Sequence, residues 1–150
     1  YQGVTVCDEW LNFQNFAKWF EENYYEIDGN VTALDKDILV KGNKIYSPST
    51  CVFVPFLINN LFVKSNAIRG NLPLGIDYAK KINKYRAQMK IGNKDNHTRH
   101  IGVYNTVEEA CNAYKIAKEK RIKEVANEYK DRIPSKLYDA MMKYEVEITD

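Results

Sequence analysis

Apolar residues recur at three- and four-residue intervals from Trp10 through Phe13, Ala17 and Phe20, with Phe16, Trp19 and Tyr24 beside them. The spacing predicts an amphipathic helix with a heavy aromatic face, capped by Asp8 or Asn12 and ending near Tyr24. Asp28-Gly29-Asn30 then turns the chain. Within Val31 to Val40, Leu34-Asp35-Lys36-Asp37-Ile38 alternates apolar and polar positions and predicts a strand, and Gly42-Asn43-Lys44 predicts a tight turn. Beyond the loop Ser47-Pro48-Ser49-Thr50, Cys51-Val52-Phe53-Val54 reads as a short buried strand and Phe56 to Phe62 as a short helix.

Periodicity is lost from Lys64 to Pro73, where turn formers gather, so residues 64–73 read as a linker. Three strand-like pieces follow, Gly75 to Lys80, Lys84 to Ile91 and Arg99 to Tyr104, joined by turn-rich segments. Thr106-Val107-Glu108-Glu109 has the pattern of a capping box and starts a long helix. Its positions Ala110, Ala113, Tyr114, Ala117, Val125 and Tyr129 trace a stripe, small at the start, suited to lying close against a sheet. Ile133-Pro134 ends that helix, a shorter one carries Leu137, Tyr138, Met141 and Met142, and Tyr144 to Thr149 alternates like a terminal strand. The expected class is α+β. A module spans 1–63, a three-stranded antiparallel sheet braced by one long helix spans 74–132, and a short helix and terminal strand span 133–150.

A 150-residue chain with 45% hydrophobic and 28% charged residues is long enough to bury a core, and disordered, collagenous and fibrous classes are excluded. No apolar run is long enough to span a membrane, since Cys51 to Val63 is interrupted by Pro55, Asn59 and Asn60. The net charge of +2 conceals a segregation. From Tyr1 to Val63 four lysines face eight acids, a balance of −4; from Lys64 to Tyr104 nine bases face only Asp77 and Asp95, a balance of +7; the remainder sums to −1. Such a basic block is either a solvated lysine-rich surface or the footprint of a polyanion, and nucleic acid is the commonest one.

In Tyr85-Arg86-Ala87-Gln88-Met89-Lys90-Ile91 the alternation is strict, with Arg86, Gln88 and Lys90 pointing away from the apolar face. Packing that apolar face on the helix stripe leaves a row of long hydrogen-bonding side chains outside. Arg and Gln pair at two points with guanine and adenine edges in the major groove. Thr98 and His100 extend the row on the next strand, while Lys80, Lys81 and Lys84 sit at a turn where phosphates could lie, joined by Lys94 in the following loop. The alternative is that the row only solvates an open sheet.

Gly75-Ile76, Tyr85-Arg86-Ala87, the run Ile101-Gly102-Val103-Tyr104-Asn105-Thr106-Val107-Glu108-Glu109-Ala110 and Ala113-Tyr114 carry a resemblance. Over roughly Leu74 to Tyr129 the chain resembles the plant Apetala/ethylene-response-factor DNA-binding domain, whose relatives also occur in phages and homing endonucleases. The resemblance implies a three-stranded sheet entering the major groove of double-stranded DNA with a helix behind it, and Arg86, Gln88, Lys90, Thr98 and His100 at base and phosphate contacts. The chain departs from that family's arginine-rich first strand, since Asp77-Tyr78-Ala79-Lys80-Lys81 places an acid there, and His100 replaces an aromatic reader.

From Gly3 to Leu61 the order Val6-Cys7-x-Glu9-Trp10, Leu34-Asp35-Lys36-Asp37-Ile38, Tyr46-Ser47-Pro48-x-Thr50-Cys51-x-Phe53-Val54 and Asn59-Asn60 resembles phage HNH-type (His-Me finger) endonucleases. In active members a histidine following the first-motif Asp activates water, and a later Asn or His helps hold a divalent metal. Here Lys36 takes that place, and both histidines, His97 and His100, lie in the sheet region. The module therefore reads as degenerate and the chain as a DNA-binding protein without a required cofactor. Two alternatives stay open: a nicking enzyme holding magnesium with Asp35, Asp37 and Asn59, and an inhibitor docking its basic face on an acidic protein partner.

Cys7, Cys51 and Cys111 are an odd number without close spacing, which argues against a disulfide framework and a four-ligand zinc site and for a reducing, cytoplasmic setting, the host cytoplasm if the chain is phage-encoded. The chain opens at Tyr1 without an initiator Met or a basic-then-apolar leader, which reads as a trimmed chain with a segment missing upstream.

Overall fold

A computed structural model describes residues 3–63, 71–91 and 97–147. After β1 (Thr5–Val6), the predicted aromatic helix is divided at Asn12, whose backbone leaves the helical region (φ −83°, ψ 110°). Its side chain accepts the Gln14 amide, so α1 (Asp8–Leu11) stops and α2 (Phe13–Asn23) starts afresh. The aromatic face gathers on one residue: the rings of Trp19, Phe20 and Tyr24 lie 5.5, 5.2 and 5.3 Å from that of Phe53. Leu11, Phe13 and Phe56 stay exposed.

Asp28 and Gly29, both at positive φ, turn β2 (Glu26–Ile27) into β3 (Asn30–Asp35), which pairs antiparallel with β5 (Val52–Pro55). Between them β4 (Ile45–Tyr46) runs parallel to β1, and α3 (Phe56–Phe62) follows β5 directly and packs on both β3 and β5. The predicted strand Leu34–Ile38 is corrected at its C-terminal half. Asp35 Oδ1 accepts the amides of Asp37 at 2.9 Å and Ile38 at 2.7 Å, and this side-chain turn ends the strand at Asp35.

The second half is an antiparallel meander of β6 (Ile76–Ala79), β7 (Lys84–Lys90) and β8 (Thr98–Tyr104), backed by α4 (Val107–Tyr129). The capping box forms: Thr106 Oγ1 accepts the Glu109 amide at 3.2 Å, and Glu109 Oε2 accepts the amides of Asn105 and Thr106. The buried stripe of α4 is Ala110, Cys111, Tyr114, Lys118, Ile122, Val125 and Ala126. Ala110, Tyr114 and Val125 fall on it as expected, whereas Ala113, Ala117 and Tyr129 lie half-buried on its flank.

A break at Ile133-Pro134 leads to α5 (Ser135–Lys143). The expected terminal strand is not formed over 144–147, where the Val146 amide is taken by Glu119 Oε1 of α4 at 2.9 Å rather than by a neighbouring strand; residues 148–150 lie outside the described residues, as does most of the expected linker. The C-terminal stretch bridges the halves. Leu137, Met141 and Val146 join one buried cluster with Ile38, Val52, Ile58 and Leu61 from the first half and Ala87, Met89 and Ile122 from the second. Phe62 meets Tyr144 at 4.8 Å, Lys136 Nζ donates to the Cys51 carbonyl at 3.2 Å, and Arg132 pairs with Asp28 at 3.0 Å.

Candidate nucleic-acid interface

Strand register decides which side chains share a face, because directly paired residues point the same way. β7 pairs Arg86 with Asp77 on β6 and with Val103 on β8, while Gln88 pairs with His100 and Lys90 with Thr98. The inner face carries Ile76, Ala87 and Met89 against α4, all buried. The outer face therefore presents Lys84, Arg86, Gln88 and Lys90 on the central strand, Thr98 and His100 on β8, and Asp77 on β6.

A bulge makes this possible. Ala87 pairs with Gly102 but Gln88 pairs with His100, so Ile101 is the extra residue on β8. Unbroken alternation from Val103 would have turned His100 and Thr98 inward; the extra residue restores them to the outer face. Lys90, Thr98 and His100 are exposed, and Lys84, Arg86 and Gln88 are half-buried within the row. Lys80 and Lys81 stand exposed at the β6–β7 turn, where Asn83 takes a positive φ and its side-chain oxygen accepts the Tyr78 hydroxyl. Lys94 lies outside the described residues.

Two features were hidden in the sequence. Arg86 is not a free cation: its Nε donates to Asp77 Oδ1 at 3.0 Å and its Nη2 to Asp77 Oδ2 at 2.5 Å. That hydrogen bonding, and then the carboxylate charge, raise the guanidinium pKa still further. Beneath the sheet, Lys118 is buried at 8% exposure, where desolvation and then the charge of Lys90 lower its pKa to about 8. The pattern of α4 gave no sign of it, since a lysine on a helix is by default solvated.

The proposed metal-binding residues fall on neighbouring elements. Asp35 closes β3, Asp37 lies in the turn after it, and Asn59 is on α3. Burial pushes the Asp35 carboxyl above the ordinary aspartate range, against the two amides it accepts and with the Asp37 charge adding to the rise. Lys36 Nζ pairs with Asp37 at 3.2 Å and lies 5.9 Å from the Tyr46 ring. Burial works against its charge, but Asp37, Tyr46 and Asp35 outweigh that and its pKa is raised. A permanent ammonium beside carboxylates committed to a turn and an ion pair is a poor fit for a divalent ion. Among the described residues no group of three or more His, Cys, Asp and Glu converges for a metal, and no helix is long and apolar enough to cross a membrane.

Compared with protein families, curated proteins and solved structures, the chain matches none of them.

Proposed function

We propose that this chain binds double-stranded DNA by laying the outer face of β6–β8 into the major groove, with α4 as the brace behind it. The observation that carries the reading is the outer-face row Arg86, Gln88 and Lys90, half-buried to exposed among the described residues, with His100 and Thr98 in register beside Gln88 and Lys90. These side chains supply two-point donors and acceptors at the spacing of a strand, and a narrow sheet is one of the shapes the major groove admits. Lys80, Lys81 and Lys84 at the turn, with Lys94 in the next connection, would neutralise phosphates and set the register. Residence in a reducing cytoplasm belongs to the same reading, supported by three unpaired thiols.

Fluorescence titration of the chain with a labelled duplex at increasing salt tests the reading. Three or four lysine–phosphate contacts give a slope of log affinity against log salt of about −3, at about −0.9 per contact. No binding at low ionic strength overturns it. Nicking of supercoiled plasmid with magnesium, abolished by Asp35→Ala, would instead establish the chain as an enzyme.

A further inference from the structure

We propose that Asp77 orients Arg86 to read a guanine, making this acid a specificity-determining residue on the duplex-binding face. The inference rests on the duplex-binding reading above. Its basis is the way the two groups meet. A guanidinium has five N–H donors on two usable edges: a side edge formed by Nε and one Nη, and an end edge formed by both Nη atoms. Asp77 occupies the side edge, through Nε at 3.0 Å and Nη2 at 2.5 Å. The end edge, with one Nη1 proton and the second Nη2 proton, remains for another partner, the fifth proton pointing back from Nη1 toward Cδ. Two parallel donors of that geometry match O6 and N7 of guanine in the major groove.

The pair is placed where such a contact would be made. Asp77 and Arg86 are directly opposed in register, their side chains 40% and 43% exposed on the outer face. On the other side of Arg86 stands Val103, an apolar residue whose side chain has no acceptor to draw the guanidinium toward β8. Fold stability is at most a part of what the pair supplies, since at this exposure even a bidentate pair is screened by solvent. Duplex affinity does not account for it, since a carboxylate among Lys84, Lys90 and Arg86 repels phosphate. What it supplies is preorganisation: a long side chain fixed before binding gives up less rotamer freedom when the base arrives.

Selection from a randomised duplex pool, followed by titration of the chosen site and its single-base variants, tests the proposal. Wild type is expected to select a guanine whose replacement weakens binding, and Arg86→Lys, which keeps the charge but loses the two-point edge, should erase the preference at that one position. Asp77→Ala should cut the same preference about tenfold, while its affinity for random duplex rises as the phosphate-repelling carboxylate is removed. Asp77→Asn, which retains one acceptor oxygen, should fall between and serves if the alanine variant misfolds. If either Asp77 variant keeps the full guanine preference, or shifts affinity equally on every duplex, the orienting role is overturned and duplex binding stands. If wild type binds no duplex at low salt, both fall.

Discussion

Gly75 shows how a single position can hold the sheet to its brace. It adopts φ +76°, and its carbonyl accepts the Gln88 amide at 2.8 Å, so the chain entering β6 presses against the middle of β7. A Cβ added there would run into the Tyr114 ring and the Gln88 carbonyl. Gly75→Ala thus combines a left-handed backbone with a collision against backbone and a buried ring, and should lose on the order of 3 kcal/mol in a denaturant melt; a loss below about 1 kcal/mol would mean the corner has slack. At this scale, legibility followed sequence distance. The Thr106–Glu109 box was readable because its partners stand three residues apart. Asp77 looked like an acid that dilutes a cationic strand, because its partner Arg86 comes nine residues later and the strand register that brings them together is not written in local pattern.

Elements were legible where periodicity is long and obscured where one side chain or one extra residue resets it. The meander and the long helix matched expectation, whereas the Asp35 turn cut short an alternating run and the Ile101 bulge inverted the faces of β8 beyond it. On α4 Ala110, Tyr114 and Val125 are buried as expected, but Lys118 rather than Ala117 takes the next buried turn and lies under the sheet. This has a pH signature. With a folded pKa of about 8 against an unfolded value of 10.5, the ammonium is protonated in both states below pH 8 and carries its full burial penalty there. Between pH 8 and 10.5 the unfolded chain binds more protons, so this residue's contribution makes stability rise with pH. Cys51 and Cys111, raised by burial above their usual value of 9, act the other way: they stay protonated in the fold while the unfolded thiols ionise. Comparing variants isolates the lysine. Lys118→Met should be more stable than wild type by roughly 3 kcal/mol at pH 7, with the gap closing toward pH 10.5; a gap that ignores pH would mean the ammonium is solvated in the fold.

At the scale of the whole molecule, the sequence pointed to two modules and a linker, and the charge segregation gave no hint of what joins them. Among the described residues the joint is made by the last stretch of chain, whose Leu137, Met141 and Val146 are buried with residues of both halves. Local pattern could not reveal this, because a short amphipathic helix records that it has an apolar face but not which surface receives it. The arrangement predicts shared stability. Met141 is fully buried, so Met141→Ala should cost about 2 to 5 kcal/mol. Because its neighbours belong to one cluster, the loss should be felt at both ends of the chain. The composition provides a separate probe for each half: both tryptophans, Trp10 and Trp19, lie before residue 63, and both histidines, His97 and His100, lie at the start of β8 or just before it. Tryptophan fluorescence and histidine ring proton signals should therefore report the same midpoint in wild type, and the same lowered midpoint in Met141→Ala, as a single cooperative transition requires. Were the tryptophan signal to move in the variant while the histidine signal held its midpoint, the C-terminal helix would be bound to the first half alone, and the sheet would fold as an independent unit.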